Sequence, residues 1–396
     1  MVAEVNALAG KGVNTTLIPT VLRKGNPNRF DFHSNVKVLF YPIFSALGMW
    51  SLLRLAFRDI KLLFRLLSLS GSSGAGNILK NLVVLPKSIL IAEYMRTNNI
   101  EHIHAHWLTA SATLAMMVSV QTGIPWSVTA HRGDIVSSNA LQKKFDSASF
   151  VRFISRSGVA LAKSRAQIAD DKVRILHMGV ELPSENFPGL IRNRSEAVTI
   201  LCPANLLPVK GHSVLLRALS RMEFLDSVRL ELAGDGELRQ KLTDMAHELG
   251  IADKVVFRGH VPHAELLAAY RNAKVDIVVL PSLDLGNGVH EGIPVSLMEA
   301  MACGVPVVST LTGGIPELLS NQRGENVGVL VKAGNEQALA TALDELVASP
   351  DLRAELGSLG RKRVASDFNQ NLIVGELIQL MNSAHGKFRQ AVTEKS

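Results

Sequence analysis

Val198-Thr199-Ile200-Leu201-Cys202-Pro203-Ala204-Asn205-Leu206-Leu207-Pro208-Val209-Lys210-Gly211-His212 reads as a short apolar strand, a turn carrying one lysine, and the opening of a helix. A continuous apolar run of this length, bounded by turn residues, fits a strand covered on both faces, as in a parallel sheet. The same unit recurs downstream. Strand patterns fall at Val228–Leu232, Val255–Phe257, Asp276–Leu280, Val305–Ser309 and Val327–Val331, and amphipathic helix patterns at Ser213–Leu225, Leu238–Leu249, Ala264–Tyr270 and Gln337–Val347 separate them. Each helix is long enough to cross over a sheet and cover it, so residues 196–368 are expected to form a doubly wound α/β domain.

The upstream half carries the alternation more loosely. Strands are expected at Thr15–Ile18, Val36–Phe40, His102–His106, Trp126–Ala130, Phe150–Ile154 and Val173–Leu176, giving a second α/β domain over residues 1–182. Between the two, residues 183–195 with Pro183, Pro188 and Gly189 have no useful periodicity and read as a linker. Residues 369–396 then form a last helix, Asn371–Ser383, and a polar tail. The expected fold is α/β, with two doubly wound Rossmann-like domains facing across a cleft and a ligand site outside the carboxyl ends of each set of strands.

A chain of 396 residues is about right for two domains, and 47% apolar with 19% charged residues excludes wholesale disorder. The only cysteines, Cys202 and Cys303, form no C-x-x-C pair, so a disulfide framework or structural zinc site has no basis and a reducing cytoplasm fits. No secretory signal is read at the N-terminus. Charge is uneven: residues 1–190 hold 21 Lys+Arg against 11 Asp+Glu, residues 191–396 hold 21 against 24, and the net values are +10 and −3. With few aromatics and no nucleic-acid module, the basic half points to phosphate or an anionic membrane and not to nucleic acid.

The uncharged run Val38–Leu53 is too short to span a bilayer and contains Pro42 and Gly48. Directly after it, Arg54, Arg58, Lys61 and Arg65 recur at helical spacing, so a helix over 44–67 either lies at a membrane surface or is buried with its basic stems reaching solvent.

Three loops carry chemistry. In Gly286-Asn287-Gly288-Val289-His290-Glu291-Gly292-Ile293-Pro294-Val295-Ser296-Leu297-Met298-Glu299 a glycine-rich turn enters a helix, where free N–H groups and the helix dipole attract phosphate oxygens. Glu299, two turns in, can accept hydrogen bonds from paired hydroxyls such as a ribose diol, and Glu291 stands at the mouth. The bland alternative is a plain turn with both glutamates solvated. Lys210, in the turn after Val198–Cys202, can reach a phosphate or simply be exposed. Thr129-Ala130-His131-Arg132-Gly133-Asp134 ends an N-domain strand, with His131 expected toward the cleft or else structural. His102, His104 and His106 alternate on one strand face, either as a metal site or as core histidines; no carboxylate partner is evident.

Together these loops resemble the retaining glycosyltransferases of family 4, over most of the chain. The family's E-x7-E motif matches Glu291 and Glu299, its basic loop matches Lys210-Gly211, and its histidine motif matches Ala130-His131-Arg132-Gly133-Asp134. Gly234-Asp235-Gly236, Met178-Gly179-Val180 and the run Glu299 to Val308 are also similar to its signatures. His104-Ala105-His106-Trp107 and Ala204 to Gly211 look closest to subgroups of bacterial exopolysaccharide and colanic-acid assembly.

The resemblance implies a GT-B fold whose C-terminal domain holds a nucleotide-diphosphate sugar, with a UDP-sugar as the expected donor, and whose N-terminal domain holds a glycan or polyprenyl-linked oligosaccharide acceptor. No metal or other cofactor is implied. Lys210, with Gly211 and the backbone of Gly292, Ile293, Pro294, Val295 and Ser296, would meet the diphosphate; Glu299 the ribose; Glu291 the donor sugar; His131, with Asp134, the reaction centre. Asn205 stands where the family usually has an arginine and would donate a hydrogen bond without charge. Glu4 to Val13 looks like the family's first helix, so its first strand and glycine-rich acceptor loop have no counterpart in the sequence. The implied setting is the cytoplasm, at the inner face of the membrane. Two other readings stay open: a nucleotide-sugar-binding scaffold with impaired catalysis, and a nucleotide-sugar epimerase of the same fold.

Overall fold

The computed structural model describes residues 1–20, 31–43, 45–71, 75–183, 197–286, 289–321 and 323–393. The linker expected over 183–195, apart from its first residue, the Asn287-Gly288 turn and the last three residues of the tail lie outside the described residues. The chain divides into two units: residues Met1–His177 with Asn371–Ser396, and residues Met178–Gln370.

The second unit is built on six parallel strands, β7 (Val198–Cys202), β8 (Val228–Ala233), β9 (Val255–Gly259), β10 (Ile277–Leu280), β11 (Val307–Thr310) and β12 (Val329–Val331). Their spatial order is β12-β11-β10-β7-β8-β9. The order reverses between β7 and β10, which pair in register through Ile277–Ile200 and Val278–Leu201. At such a reversal the loops leaving the two strands run to opposite faces of the sheet and leave a crevice at the carboxyl ends. The apolar runs are explained by cover on both faces: Ile200, Leu201 and Cys202 on β7 and all four residues of β10 are buried in one core.

Glycines let the loops at that edge cross at backbone contact. A Cβ on Gly211, which sits at φ +72°, would lie 1.9 Å from the carbonyl oxygen of Pro281, and one on Gly234 would lie 2.0 Å from that of Ala204. The β7 loop is thereby pressed between those of β8 and β10. The bond from Leu206 N–H to the Asp235 carbonyl (3.0 Å) fixes one side, and that from Leu283 N–H to the Val209 carbonyl (2.8 Å) fixes the other.

The first unit holds β1 (Thr15–Leu17) paired with β2 (Val36–Val38), and a parallel sheet of β3 (Ile103–His106), β4 (Trp126–Ala130), β5 (Phe150–Phe153) and β6 (Val173–Ile175) in that order. All five residues of β4 and all four of β5 are buried, including Arg152. Its guanidinium is fully partnered: one arm bonds Glu4 Oε2 at 2.6 Å, and the others donate to the carbonyls of Leu176 (2.8 Å) and His177 (2.5 Å). A helix, Val2–Gly10, exists here to deliver that glutamate into the core.

Two helical expectations are revised. The helix expected over 44–67 is two, Ala46–Arg58 and Ile60–Ser70, because Asp59 leaves the helical conformation and its Oδ1 accepts the Leu62 N–H as an N-cap. The last helix runs from Gln370 to Thr393, ten residues beyond the expected Ser383, and Ile373 and Leu377 pack on Phe150 and Leu176 of the first unit. Among the described residues no helix is long and apolar enough to cross a membrane.

Candidate functional site

In the second unit the switch between β7 and β10 brings together residues 81 positions apart: Lys210 Nζ lies 2.5 Å from Glu291 Oε2, both side chains largely buried. Lys210 ends a short 3-10 turn, Pro208–Lys210, whose proline and following Gly211 fix the turn at the carboxyl end of β7. Glu291 is held in place through its backbone. Its carbonyl accepts the Gly314 N–H (3.3 Å) and meets His290 Nδ1 (2.9 Å), and a Cβ on Gly313, at φ +58°, would lie 1.8 Å from that carbonyl oxygen. The loops after β7, β10 and β11 therefore meet at this ion pair.

The helix Val295–Ala302 begins beside it, with Pro294 at its N-cap and no side chain capping its first turn. Pro294 has no N–H, so the donors of this segment are those of Gly292, Ile293, Val295 and Ser296. Glu299 projects from the second turn, and its Oε1 lies 2.7 Å from Nε2 of His263, the first residue of the helix His263–Arg271 after β9. Asn205 is exposed in the β7 loop. The edge thus holds one lysine, two carboxylates, an exposed amide and an uncapped helix start.

The first unit has its own polar cluster at the carboxyl ends of β3 and β4. His131 follows β4, and its Nε2 lies 2.9 Å from Nε2 of His106, the last residue of β3. Two neutral imidazoles can share such a contact, one donating and one accepting, whereas two imidazolium rings cannot. Burial depresses both rings, with Arg152 lowering each further: His131 to about 4, and His106, also opposed by His131, to about 3. Behind them Ser127 Oγ bridges His102 Nε2 and His104 Nδ1 at 2.7 Å each, and His104 Nε2 reaches Thr129 Oγ1 at 2.8 Å. The three strand histidines face one way and are engaged with hydroxyls and with His131. No group of three or more metal-ligating side chains is arranged for an ion among the described residues.

Asp134 is placed differently from a ligand-contacting residue. Its carboxylate is buried, with Oδ1 accepting the His131 N–H and Oδ2 the Leu108 N–H, both at 2.8 Å. It therefore ties the loop after β4 to the loop after β3. The tie matters because Trp107, between His106 and Leu108, is held at φ +74°, a left-handed conformation that bulky residues avoid. Its N–H donates to the Thr129 carbonyl, its carbonyl accepts from Ser111 Oγ, and its half-exposed indole stands 6.1 Å from the His131 ring.

His106, Trp107 and His263 were not singled out from the sequence as partners of the site. The alternation of His102, His104 and His106 carried part of the signal, but their contact with His131 depends on the β3–β4 register, His106 opposite Thr129. Nothing local marks His263.

A parallel sheet in each unit and the strand order of the second are the architecture of the GT-B fold. The chain carries a glycosyltransferase group 1 domain: residues 185–363 match the family described as Glycosyl transferases group 1. Among curated relatives, the GDP-mannose-dependent alpha-(1-6)-phosphatidylinositol monomannoside mannosyltransferase of Mycolicibacterium smegmatis is 28% identical over 78% of this chain and 84% of its own. The putative colanic acid biosynthesis glycosyltransferase WcaL of Escherichia coli is 33% identical over 54% of this chain, an alignment that spans about half (52%) of that relative's length. Solved structures agree on the fold. Sucrose-phosphate synthase of Thermosynechococcus elongatus superposes with a TM-score of 0.71 at 19% identity, covering 97% of this chain and 92% of that one. Anabaena Alr3699/HepE in complex with UDP gives 0.65 at 18%, covering 88% and 87%.

Proposed function

We propose that the chain is a retaining, metal-independent hexosyltransferase of family 4 that moves a sugar from a nucleoside-diphosphate sugar to a glycan or polyprenyl-linked oligosaccharide in bacterial surface polysaccharide synthesis. The observation that carries this is the convergence of Lys210, Glu291 and the uncapped helix Val295–Ala302 at the β7–β10 switch point. A departing diphosphate develops negative charge, and a preorganised ammonium with free backbone N–H groups stabilises it without a divalent ion. Lys210 supplies the first, and Gly292, Ile293, Val295 and Ser296 the second. Gly211 lets the lysine loop approach closely, and exposed Asn205 offers an amide to the same phosphates.

Glu299 accepts the ribose diol, with His263 orienting its carboxylate. Glu291 serves twice: it holds Lys210 in place before the donor arrives, then takes hydroxyls of the donor sugar when the diphosphate recruits the lysine. In the first unit neutral His131, its tautomer set by His106 and its backbone by Asp134, donates to or accepts from sugar hydroxyls. Retention of configuration follows if the acceptor attacks on the face the phosphate leaves; no side chain is assigned as nucleophile.

A UDP-sugar is the donor we favour, supported by the UDP-bound HepE structure. The name of the mycobacterial relative makes GDP-mannose the competitor to test. The cytoplasmic face of the membrane is the proposed setting. Thermal shift with UDP, GDP, ADP and CDP and their sugar conjugates tests the donor site, since a ligand at a hundredfold excess over its Kd adds about 2.7 kcal/mol to apparent stability. One base should raise the melting temperature of the wild-type chain and not of Glu299→Ala. No shift with any nucleotide would refute a working donor site, in the transferase and in the nucleotide-sugar-binding scaffold alike, and leave an inactive remnant.

A further inference from the structure

The helix pair Ala46–Arg58 and Ile60–Ser70 packs one apolar face on the core, through Leu52, Leu55, Leu62, Leu63 and the fully buried Leu66, and leaves a second apolar row in water. Its buried positions in the first helix are Gly48 and Ser51, and a Cβ on Gly48 would lie 3.3 Å from Pro86, so the closest approach there is made by small residues. A separate set of large side chains points to solvent: Phe57 is 91% exposed, Phe64 64%, Leu53 59%, Trp50 56% and Ile60 48%. At steps of three and four these form one row on each helix. Leaving such a row in water is unfavourable, and a contiguous exposed apolar patch marks a surface that something covers.

The flanking charge says what covers it. Between residues 45 and 71 there are four cations, Arg54, Arg58, Lys61 and Arg65, and one carboxylate, Asp59, which is occupied as the N-cap of the second helix. All four cations are exposed, none forms an ion pair among the described residues, and Arg54 lies over the Trp50 ring at 5.5 Å. Trp50, Leu53, Phe57, Arg54 and Arg58 together line an open groove. An apolar row with an unopposed cationic rim matches a bilayer boundary, where aromatic side chains enter the acyl edge and cations meet anionic head groups. A second copy of this chain would set the same cations against themselves.

We propose that this face docks the protein on an anionic lipid surface, with Trp50, Phe57 and Phe64 entering the interface and Arg54, Arg58, Lys61 and Arg65 on the head groups. The inference deepens the reading of a lipid-linked acceptor and rests on it for its biological setting, but its test needs no donor. The full chain is floated with vesicles of phosphatidylcholine alone and of phosphatidylcholine with phosphatidylglycerol. Flotation should require the anionic lipid and fall with salt. Replacing the four cations together by glutamine should weaken it by at least about tenfold. Phe57→Ser with Phe64→Ser should weaken it at every salt concentration. Because all these side chains face solvent, the variants should melt with the wild type. In a Trp107→Phe background, brominated lipid should quench Trp50, since the remaining tryptophan, Trp126, is buried.

Equal flotation of wild type and both variants, or an unquenched Trp50, would overturn the proposal. A dimer in sedimentation that Phe57→Ser with Phe64→Ser dissociates, with vesicle binding unchanged, would also overturn it and give the face to a second copy. Nucleotide shifts without vesicle binding refute this inference alone, and vesicle binding without nucleotide shifts refutes only the proposed function.

Discussion

Lowering the pH from 8 to 5 should destabilise the first unit. His102 and His131 are depressed to about 4 and His106 to about 3, in each case chiefly by burial, against an ordinary value of 6.5. A histidine whose folded pKa lies below its unfolded one is charged more readily in the unfolded chain. The stability it contributes is complete above pH 6.5 and is lost as pH falls from there toward the folded value. At pH 5 the unfolded ring is almost fully protonated and the folded ring almost fully neutral, which favours unfolding by about 2 kcal/mol per histidine. Three such rings amount to about 6 kcal/mol; His104, held well below its ordinary value by burial, acts in the same direction, while Asp134, raised by burial to about 7, takes up its proton in the folded state and opposes them. The geometry gives the same direction independently, because the 2.9 Å contact between the His106 and His131 Nε2 atoms survives only while one ring can accept. Calorimetry at fixed ionic strength should show the first unit's transition moving down steeply between pH 6.5 and 5. In His131→Gln, which keeps a polar partner but cannot titrate, part of that slope should disappear. A transition that stays put across this range, or a slope unchanged in His131→Gln, would refute the neutral histidine cluster.

At the β7–β10 edge, Lys210→Ala should lower kcat by about 10²–10³, the usual loss for one preorganised donor, with a smaller effect on nucleotide affinity. Glu291→Gln should instead strengthen binding of the free nucleoside diphosphate by freeing Lys210, while kcat/KM falls; parallel weakening of both would remove the double role given to Glu291. Gly211→Ala places a Cβ 1.9 Å from the Pro281 oxygen at φ +72° and should cost about 1–2 kcal/mol from the backbone conformation alone, with loss of nucleotide-induced stabilisation, whereas Gly292→Ala meets nothing within 4 Å and should melt like the wild type.

The strands were legible to within about two residues because a parallel strand covered on both faces must be a short apolar run, and loops at its carboxyl end announce themselves through Gly, Pro and a polar side chain. Lys210, Glu291, Glu299 and His131 were found as members of such loops. Their partners were not. Lys210 meets Glu291 only because β7 and β10 are neighbours in the strand order, and Glu299 meets His263 only because the β9 crossover returns beside the helix Val295–Ala302. Those contacts are properties of the sheet's order and register, which a single strand's pattern does not encode. The break at Asp59 was missed for a different reason: one polar residue in an apolar helical run reads as a tolerated surface position until its side chain is seen capping the next helix.

The basic excess of the N-terminal half, +10 over residues 1–190, has to be divided before it can be read as attraction for a partner. Part of it is interior. Lys87 donates to the carbonyls of Pro19 and Thr20, Lys144 to those of Leu108 and Thr109, and Arg152 to those of Leu176 and His177. All three are almost fully buried, and burial lowers Lys87 to about 8 and Lys144 to about 7, so these ammonium groups act as local staples for loop carbonyls and project little field outward. Burial keeps the histidine cluster neutral, and Arg152 adds to it at His104, His106 and His131. Arg54, Arg58, Lys61 and Arg65, by contrast, sit together on solvent-exposed helices beside an uncovered aromatic row. The same composition therefore serves two purposes. Lys144 fixes the loop that carries Trp107, Lys87 and Arg152 fix the loops after β1 and β6, and the exposed four concentrate positive charge on one helix pair.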